Sequence, residues 1–171
     1  ARPQLIAGPK PEVIPLSMAQ QRMWFLNRFD PASPAYNLPI SLRLTGDLDI
    51  AALERALVDV VDRHEALRTV YPETEQSARQ VVVPATQAFP GLELVNISGD
   101  ETSAPLTEHV TAMASRGFDL TTEVPFRAAL LRLDPQTHVL ALIVHHISAD
   151  GWSLAPLATD IMVAYSARLT G

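Results

Sequence analysis

A mixed α/β layer, an α+β sandwich with helices packed on a sheet, follows from three features of the sequence. Apolar and polar residues alternate over 36–45, the period of a half-buried strand. Two apolar runs, 126–133 and 137–144, flank Asp134-Pro135-Gln136, which reads as a strand pair across a turn. Segments near 18–28, 50–63, 103–115 and 154–169 instead repeat their apolar residues at helical spacing. Strands and helices interleave along the chain, so a mixed sheet covered by helices, two layers deep, is the expected architecture.

Residues 1–15 hold Pro3, Pro9, Pro11 and Pro15 and show no period. They read as an extended linker or arm. Ser17 is placed to cap a helix from Met18 to about Arg28, which Asp30-Pro31-Ala32-Ser33-Pro34 ends. Leu38, Ile40, Leu42 and Leu44 form the apolar face of the first long strand, and Gly46-Asp47 turns the chain. The helix from Ile50 to Arg63 carries a stripe of Leu53, Leu57 and Val60/Val61. Short strands follow at 67–71 and 79–83 across a polar turn, with another at 92–97. Leu106, Val110 and Met113 face the core from the helix Ser103–Ser115. The last helix runs from about Leu154 to Leu169, which places Pro156 in its first turn, where no N–H partner is needed.

The 171 residues suffice for one domain with a real core. Hydrophobic residues make up 47% and charged ones 19%, an ordinary globular balance. The absence of cysteine excludes disulfides, thiolate chemistry and Cys-based zinc sites, and fits a reducing cytoplasm. A net charge of −6 without a basic cluster argues against nucleic acid as the main partner. No apolar stretch reaches membrane-spanning length, and the N-terminus lacks the apolar core of a signal peptide.

Chemistry is concentrated at His145-His146-Ile147-Ser148-Ala149-Asp150-Gly151. A titratable pair at the end of the apolar run 139–144 is costly unless it has a task. Neighbouring strand residues point to opposite faces, so one histidine is packed and the other faces a cavity. That parity makes a poor chelate for one metal, and no metal site is expected. Asp150 is either a second catalytic group or a strut paired with a distant arginine. Gly151 removes a side chain where the backbone turns or a ligand approaches. Ser153 lies outside any nucleophile-elbow context, so a hydrolase triad is unsupported. His64, His109 and His138 have no partner pattern and read as surface or incidental.

Three segments together resemble the condensation domain of nonribosomal peptide synthetases. Leu16-Ser17-Met18-Ala19-Gln20-Gln21-Arg22-Met23-Trp24-Phe25-Leu26 is similar to the family's S-x-A-Q-x-R-L-W-x-L. Arg63-His64-Glu65-Ala66-Leu67-Arg68-Thr69-Val70-Tyr71 is similar to R-H-E-x-L-R-T-x-F, and His145 to Gly151 matches H-H-x-x-x-D-G. Leu44 to Leu53 and Gly117-Phe118-Asp119-Leu120 also look familiar. Met23, Tyr71 and Val144 are mild departures. The resemblance covers essentially residues 13–171 and implies one lobe of a chloramphenicol acetyltransferase-like fold. It implies that 1–14 is a linker from a preceding carrier domain. Residues 15–171 are then an N-terminal lobe, the C-terminal lobe being absent.

The resemblance also implies a reaction. An acceptor aminoacyl amine attacks a donor thioester, both held on phosphopantetheine arms of upstream and downstream carrier domains beside an adenylation domain. No cofactor is bound directly. His146 is then the active-site residue. It either positions the amine or accepts its proton late, since an α-amine of pKa about 7.7–8.0 needs no strong base. Asp150 becomes a strut paired with Arg68, so that losing it costs stability as well as activity. His145 packs behind the site, and Gly151 leaves room for an arm. Trp152, Ser153, Gln20 and Arg22 are tunnel candidates, Trp152 as core or tunnel wall. The first segment, with Trp24, reads as a helix that packs on the sheet. Trp152-Ser153 and the Pro-rich arm resemble the subtype that takes an L-configured donor. Two alternatives remain open: a non-catalytic folded lobe that docks, and a free-standing acyltransferase using coenzyme A.

Overall fold

Strand β7 (Thr137–His145) is buried at every position after its first. A strand apolar on both parities needs cover on both faces. In the computed structural model, which describes residues 8, 11–75, 78–97 and 103–170, β7 lies inside a four-stranded sheet. The order is β2 (Asn37–Thr45), β7, β6 (Phe126–Asp134) and β5 (Glu93–Asn96). β7 pairs antiparallel with β2 and β6, while β5 runs parallel to β6. Pro39 is accommodated because β2 is an edge strand of this sheet.

Leu140, Leu142 and Val144 pack with apolar residues of α2 (Ile50–Arg63) and α5 (Gly151–Thr170). Val139, Ala141 and Ile143 meet residues of α1 (Met18–Phe29) and α4 (Ala104–Ser115) on the other face. The sheet therefore has helices on both sides at its centre, three layers where two were expected. The continuous apolar run 139–144 dictates this, since a two-layer sandwich would leave half of it wet.

The helix α2 spans the predicted Ile50–Arg63. Asp49 caps it, its carboxylate accepting from the Ala52 N–H at 2.8 Å. Leu53, Leu57, Val60 and Val61 are buried among α5 and sheet residues. A two-point pair, Arg168 to Asp59 at 2.7 and 2.6 Å, ties the far end of α5 to α2.

A second small sheet has the order β1 (Ile14–Pro15), β4 (Arg79–Val82) and β3 (Thr69–Val70). Of the Pro-rich arm, residues 1–7, 9 and 10 lie outside the described residues. Its last part joins the lobe, Ile14 pairing with Gln80 and Pro15 with Arg79.

Three local features differ from expectation. The four-residue helix α3 (Ala85–Ala88) was not foreseen, being too short to show a period. Helix α5 begins at Gly151, so Pro156 sits in its second turn rather than its first. His138 is not a surface group: it is buried on β7, its Nδ1 has no partner among the described residues, and burial lowers its pKa.

Candidate active site

The strand β7 ends at His145, and the chain turns at once. His145 N–H donates to Pro125 O at 3.0 Å, His146 N–H to Tyr36 O at 2.8 Å, and Ser148 N–H to His145 O at 3.0 Å. His145 Nδ1 accepts from Ile147 N–H at 3.1 Å, which places the ring proton on Nε2. Its ring lies edge-on to Phe118 (6.0 Å, 84°) and 6.0 Å from Tyr36. Burial pushes its pKa down to about 4, with His146 beside it adding to the shift. His145 is thus a neutral, packed residue.

A pH dependence follows. An unfolded chain takes up the His145 proton near pH 6.5, and the folded chain refuses it until about pH 4. Stability is full above about pH 6.5 and should fall by ~3 kcal/mol as pH drops toward 4. Urea unfolding at pH 7 and pH 4.5 checks this. The loss should shrink in His145→Gln, and an equal loss in both proteins would contradict the assignment.

His146 is half-buried at the start of the turn. Its imidazole makes no hydrogen bond among the described residues, in contrast to its neighbour. The two rings differ in burial, although His146 lies just past the end of the strand and strand parity does not apply to it.

Behind the pair lies a group that the sequence did not disclose. Phe118 is fully buried, and the Arg127 guanidinium lies over its ring at 3.6 Å. Arg127 also donates to the carbonyls of Arg116 and Gly117 at 2.7 and 2.5 Å and to Glu123 at 3.0 Å. Buried Asn27 of α1 donates to Phe118 O at 2.8 Å and accepts from Leu120 N–H at 3.4 Å. Helix α1 is therefore pinned to the loop that packs Phe118 against His145. Gly117-Phe118-Asp119-Leu120 was the available signal; Asn27 and Arg127 carried none.

The expected Arg68–Asp150 pair is not formed. Arg68 spends its guanidinium on the carbonyls of Val61, Val83 and Asp62 at 3.1, 2.9 and 3.0 Å, with the Asp62 carboxylate at 3.6 Å. Asp150 is exposed and caps α5. Its carboxylate accepts from Ser153 N–H at 3.0 Å and Oγ–H at 2.7 Å, while its own N–H donates to Ser153 Oγ at 3.1 Å. These bonds, those from the Ser153 side chain first, hold its pKa below the usual carboxylate value. Asp150→Ala should accordingly lower the melting temperature by only about 2–4 °C, the effect of a lost cap. A much larger drop in thermal melts would restore the strut.

The other candidates divide. Gly151 opens α5, and an added Cβ there meets nothing within 4 Å, so no tight turn demands glycine. Trp152 is 90% exposed and is no core residue. Gln20 belongs to the α1 capping box, its Oε1 accepting from Ser17 N–H at 2.8 Å, which spends it on the helix end rather than a tunnel. Arg22 is exposed and lines an open groove of about 340 Å³ with Met23 and Tyr36, the residue whose carbonyl holds His146. Trp24 packs inward, donating to Tyr71 O at 2.9 Å. His64 is not incidental, because its Nε2 lies 2.7 Å from Asp160 Oδ2 of α5. Among the described residues, no three His, Asp or Glu side chains gather to hold a metal, and no helix is long and apolar enough to cross a membrane.

The condensation-domain family profile matches residues 10–171. The chain belongs to the condensation domain family. It is 46% identical over 171 residues to a dimodular nonribosomal peptide synthase of Bacillus subtilis, covering 100% of this chain and 7% of that protein. An isonitrile lipopeptide synthase of Mycobacterium tuberculosis is 45% identical over 170 residues, covering 98% of this chain and 7% of the relative. Among solved structures, the X-domain in complex with OxyB from teicoplanin biosynthesis superposes with a TM-score of 0.89 at 38% identity. That match covers 100% of this chain and 36% of the X-domain chain. The first condensation domain of the calcium-dependent antibiotic synthetase, with a substrate analogue, gives 0.76 at 26% identity, over 88% of this chain and 36% of that one. The condensation-domain chain is thus a mixed α/β lobe of the chloramphenicol acetyltransferase-like fold, and it spans about 36% of these solved chains.

Proposed function

We propose that this lobe supplies His146 to peptide-bond formation between two thioesters on carrier-domain phosphopantetheine arms. One observation carries the reading: His145 is locked neutral behind the turn, while the His146 imidazole at its edge makes no hydrogen bond among the described residues. A ring held by its backbone but free at its side chain can orient an attacking amine and take its proton as the C–N bond forms. The amine nitrogen bonds to the thioester carbonyl carbon, the C–S bond breaks, and the thiolate leaving group takes up the proton. The partners are an upstream donor carrier, a downstream acceptor carrier, an adenylation domain and the second lobe that walls the site. Residues 1–14 serve as the linker from the preceding carrier, and the resemblance of Trp152-Ser153 and the Pro-rich arm to the L-donor subtype supports an L-configured donor.

The test is peptide-bond formation from two loaded carrier domains, run on the intact domain and on this lobe alone. Product from the intact domain and none from the lobe is the expected result. No product from the intact domain defeats the proposal, and product from the lobe alone defeats the need for a second wall.

A second reading is a lobe that docks a partner protein without catalysis. The likeness to an X-domain solved with OxyB favours it, as does the exposure of Trp152. An intact domain that binds such a partner and forms no peptide bond would select it.

A further inference from the structure

The second and third sequence segments meet at a place other than the Arg68–Asp150 strut. A cleft of about 270 Å³ opens between the 3₁₀ turn Glu65–Arg68, the 145–150 turn and the start of α5. Its apolar wall is Leu67, Ala149 and Leu157, and its polar rim is His64, Ser148 and Ser153. Each polar group has already spent its proton elsewhere. Ser148 Oγ–H donates to His145 O at 3.0 Å, and Ser153 Oγ–H donates to Asp150 at 2.7 Å. His64 Nε2 lies 2.7 Å from the Asp160 carboxylate, and in the tautomer that donates there the ring's remaining lone pair is on Nδ1. No described residue bonds that Nδ1. The rim therefore offers three acceptors above a hydrocarbon wall, Ser153 Oγ through the one lone pair that the Asp150 N–H at 3.1 Å does not take.

The nearby cations are engaged elsewhere. Arg68 is consumed by carbonyls. Arg63 stands 3.6 Å from the Asp160 carboxylate, and both residues line a separate groove between α2 and α5. An acceptor-only rim over an apolar wall is complementary to a group with several donors and a carbon stem. A primary ammonium has three donors and no acceptor. A carboxylate would face only lone pairs, and a neutral alcohol would satisfy one of the three.

We propose that this cleft is a subsite for a small organic ammonium ion, an alkylammonium whose N–H donors meet His64 Nδ1, Ser148 Oγ and Ser153 Oγ. Two sources share this chemistry, the side-chain ammonium of a basic amino acid and an α-ammonium. Asp160 acts as a positioning residue, setting the tautomer of His64.

Equilibrium binding involves no turnover, so the subsite stands or falls separately from peptide-bond formation. The intact domain that contains this lobe is titrated with n-butylammonium at constant ionic strength and followed by amide NMR. Saturable shifts centred on His64, Ser148 and Ser153, with a Kd on the order of millimolar, are expected for five heavy atoms. 1-Butanol and pentanoate should leave those signals unmoved. His64→Ala should weaken binding by about tenfold, roughly one charge-assisted hydrogen bond. Should that variant misfold, Ser148→Ala, which leaves the His64–Asp160 tie in place, reads the same loss at a smaller size. Nα-acetyl-lysine amide carries only the side-chain ammonium and norleucine amide only the α-ammonium, so whichever shifts the signals identifies the source. Equal shifts with 1-butanol, unsaturable shifts spread over surface carboxylates, or unchanged affinity in both variants would overturn the subsite.

Discussion

His146→Ala in the intact domain should slow peptide-bond formation by about 10²–10⁴-fold, the range for loss of a positioned acid–base group. The fold should not change. His146 contributes its backbone N–H to Tyr36 O, a bond alanine keeps, and its side chain makes no hydrogen bond among the described residues. Circular dichroism and a melting curve that match the parent, with slow turnover of loaded carriers, are the expected pair of observations. A contrast with His145 sharpens the result. His145→Ala empties a packed site against Phe118 and Tyr36 and removes the acceptor for Ile147 N–H, so it should cost stability before activity can be read. Turnover at the parent rate by a folded His146→Ala domain would remove His146 from the chemistry.

Gly117→Ala should be the most damaging single methyl in the lobe. A Cβ at 117 would overlap the Pro31 carbonyl oxygen and lie 2.6 Å and 2.7 Å from the carbonyl carbon and oxygen of Ala32. These are backbone atoms, which cannot rotate away as a side chain would. Overpacking of this kind costs about 1–3 kcal/mol or more. At the upper end that lowers the melting temperature by roughly 6–12 °C for a chain of this size. The damage should reach the candidate site, because the same loop carries Phe118 onto His145 and receives Arg127 at the Gly117 carbonyl. Gly151→Ala is the matched control, having open space around its added methyl. Equal melting temperatures for Gly117→Ala and the parent would show that the 31–32 turn gives way freely.

Much of the architecture was legible because it is written in periods. Helix α2, the β6–β7 pair and the Ser17 cap each depend on residues close in sequence, and each falls where the pattern put it. The run 139–144 also held the third layer, which its unbroken apolarity implies once both faces are counted. What escaped reading depends on distant partners. A motif orders Arg68 and Asp150 along the chain without saying that three carbonyls take the arginine and a serine three residues on takes the aspartate. His64 and Asp160 are 96 residues apart and share no local pattern. Trp152 looked like core by type, yet it follows the first residue of a helix whose inner face begins only at Leu157.

The proline in the second turn of α5 has a dynamic consequence. Lacking an N–H, Pro156 leaves the Trp152 carbonyl without its helical bond. The opening turn is then fastened to the rest of the helix by fewer rungs, and its hold on the protein rests largely on the Asp150–Ser153 cap. Beyond it, Leu157 and Ile161 are buried in the core. Amide hydrogens of the opening turn should therefore exchange through a local, low-energy opening, while those near Ile161 wait for global unfolding. The segment joining the histidine turn to its helix is thus a small independent unit of motion, able to lift while the scaffold beneath stays folded.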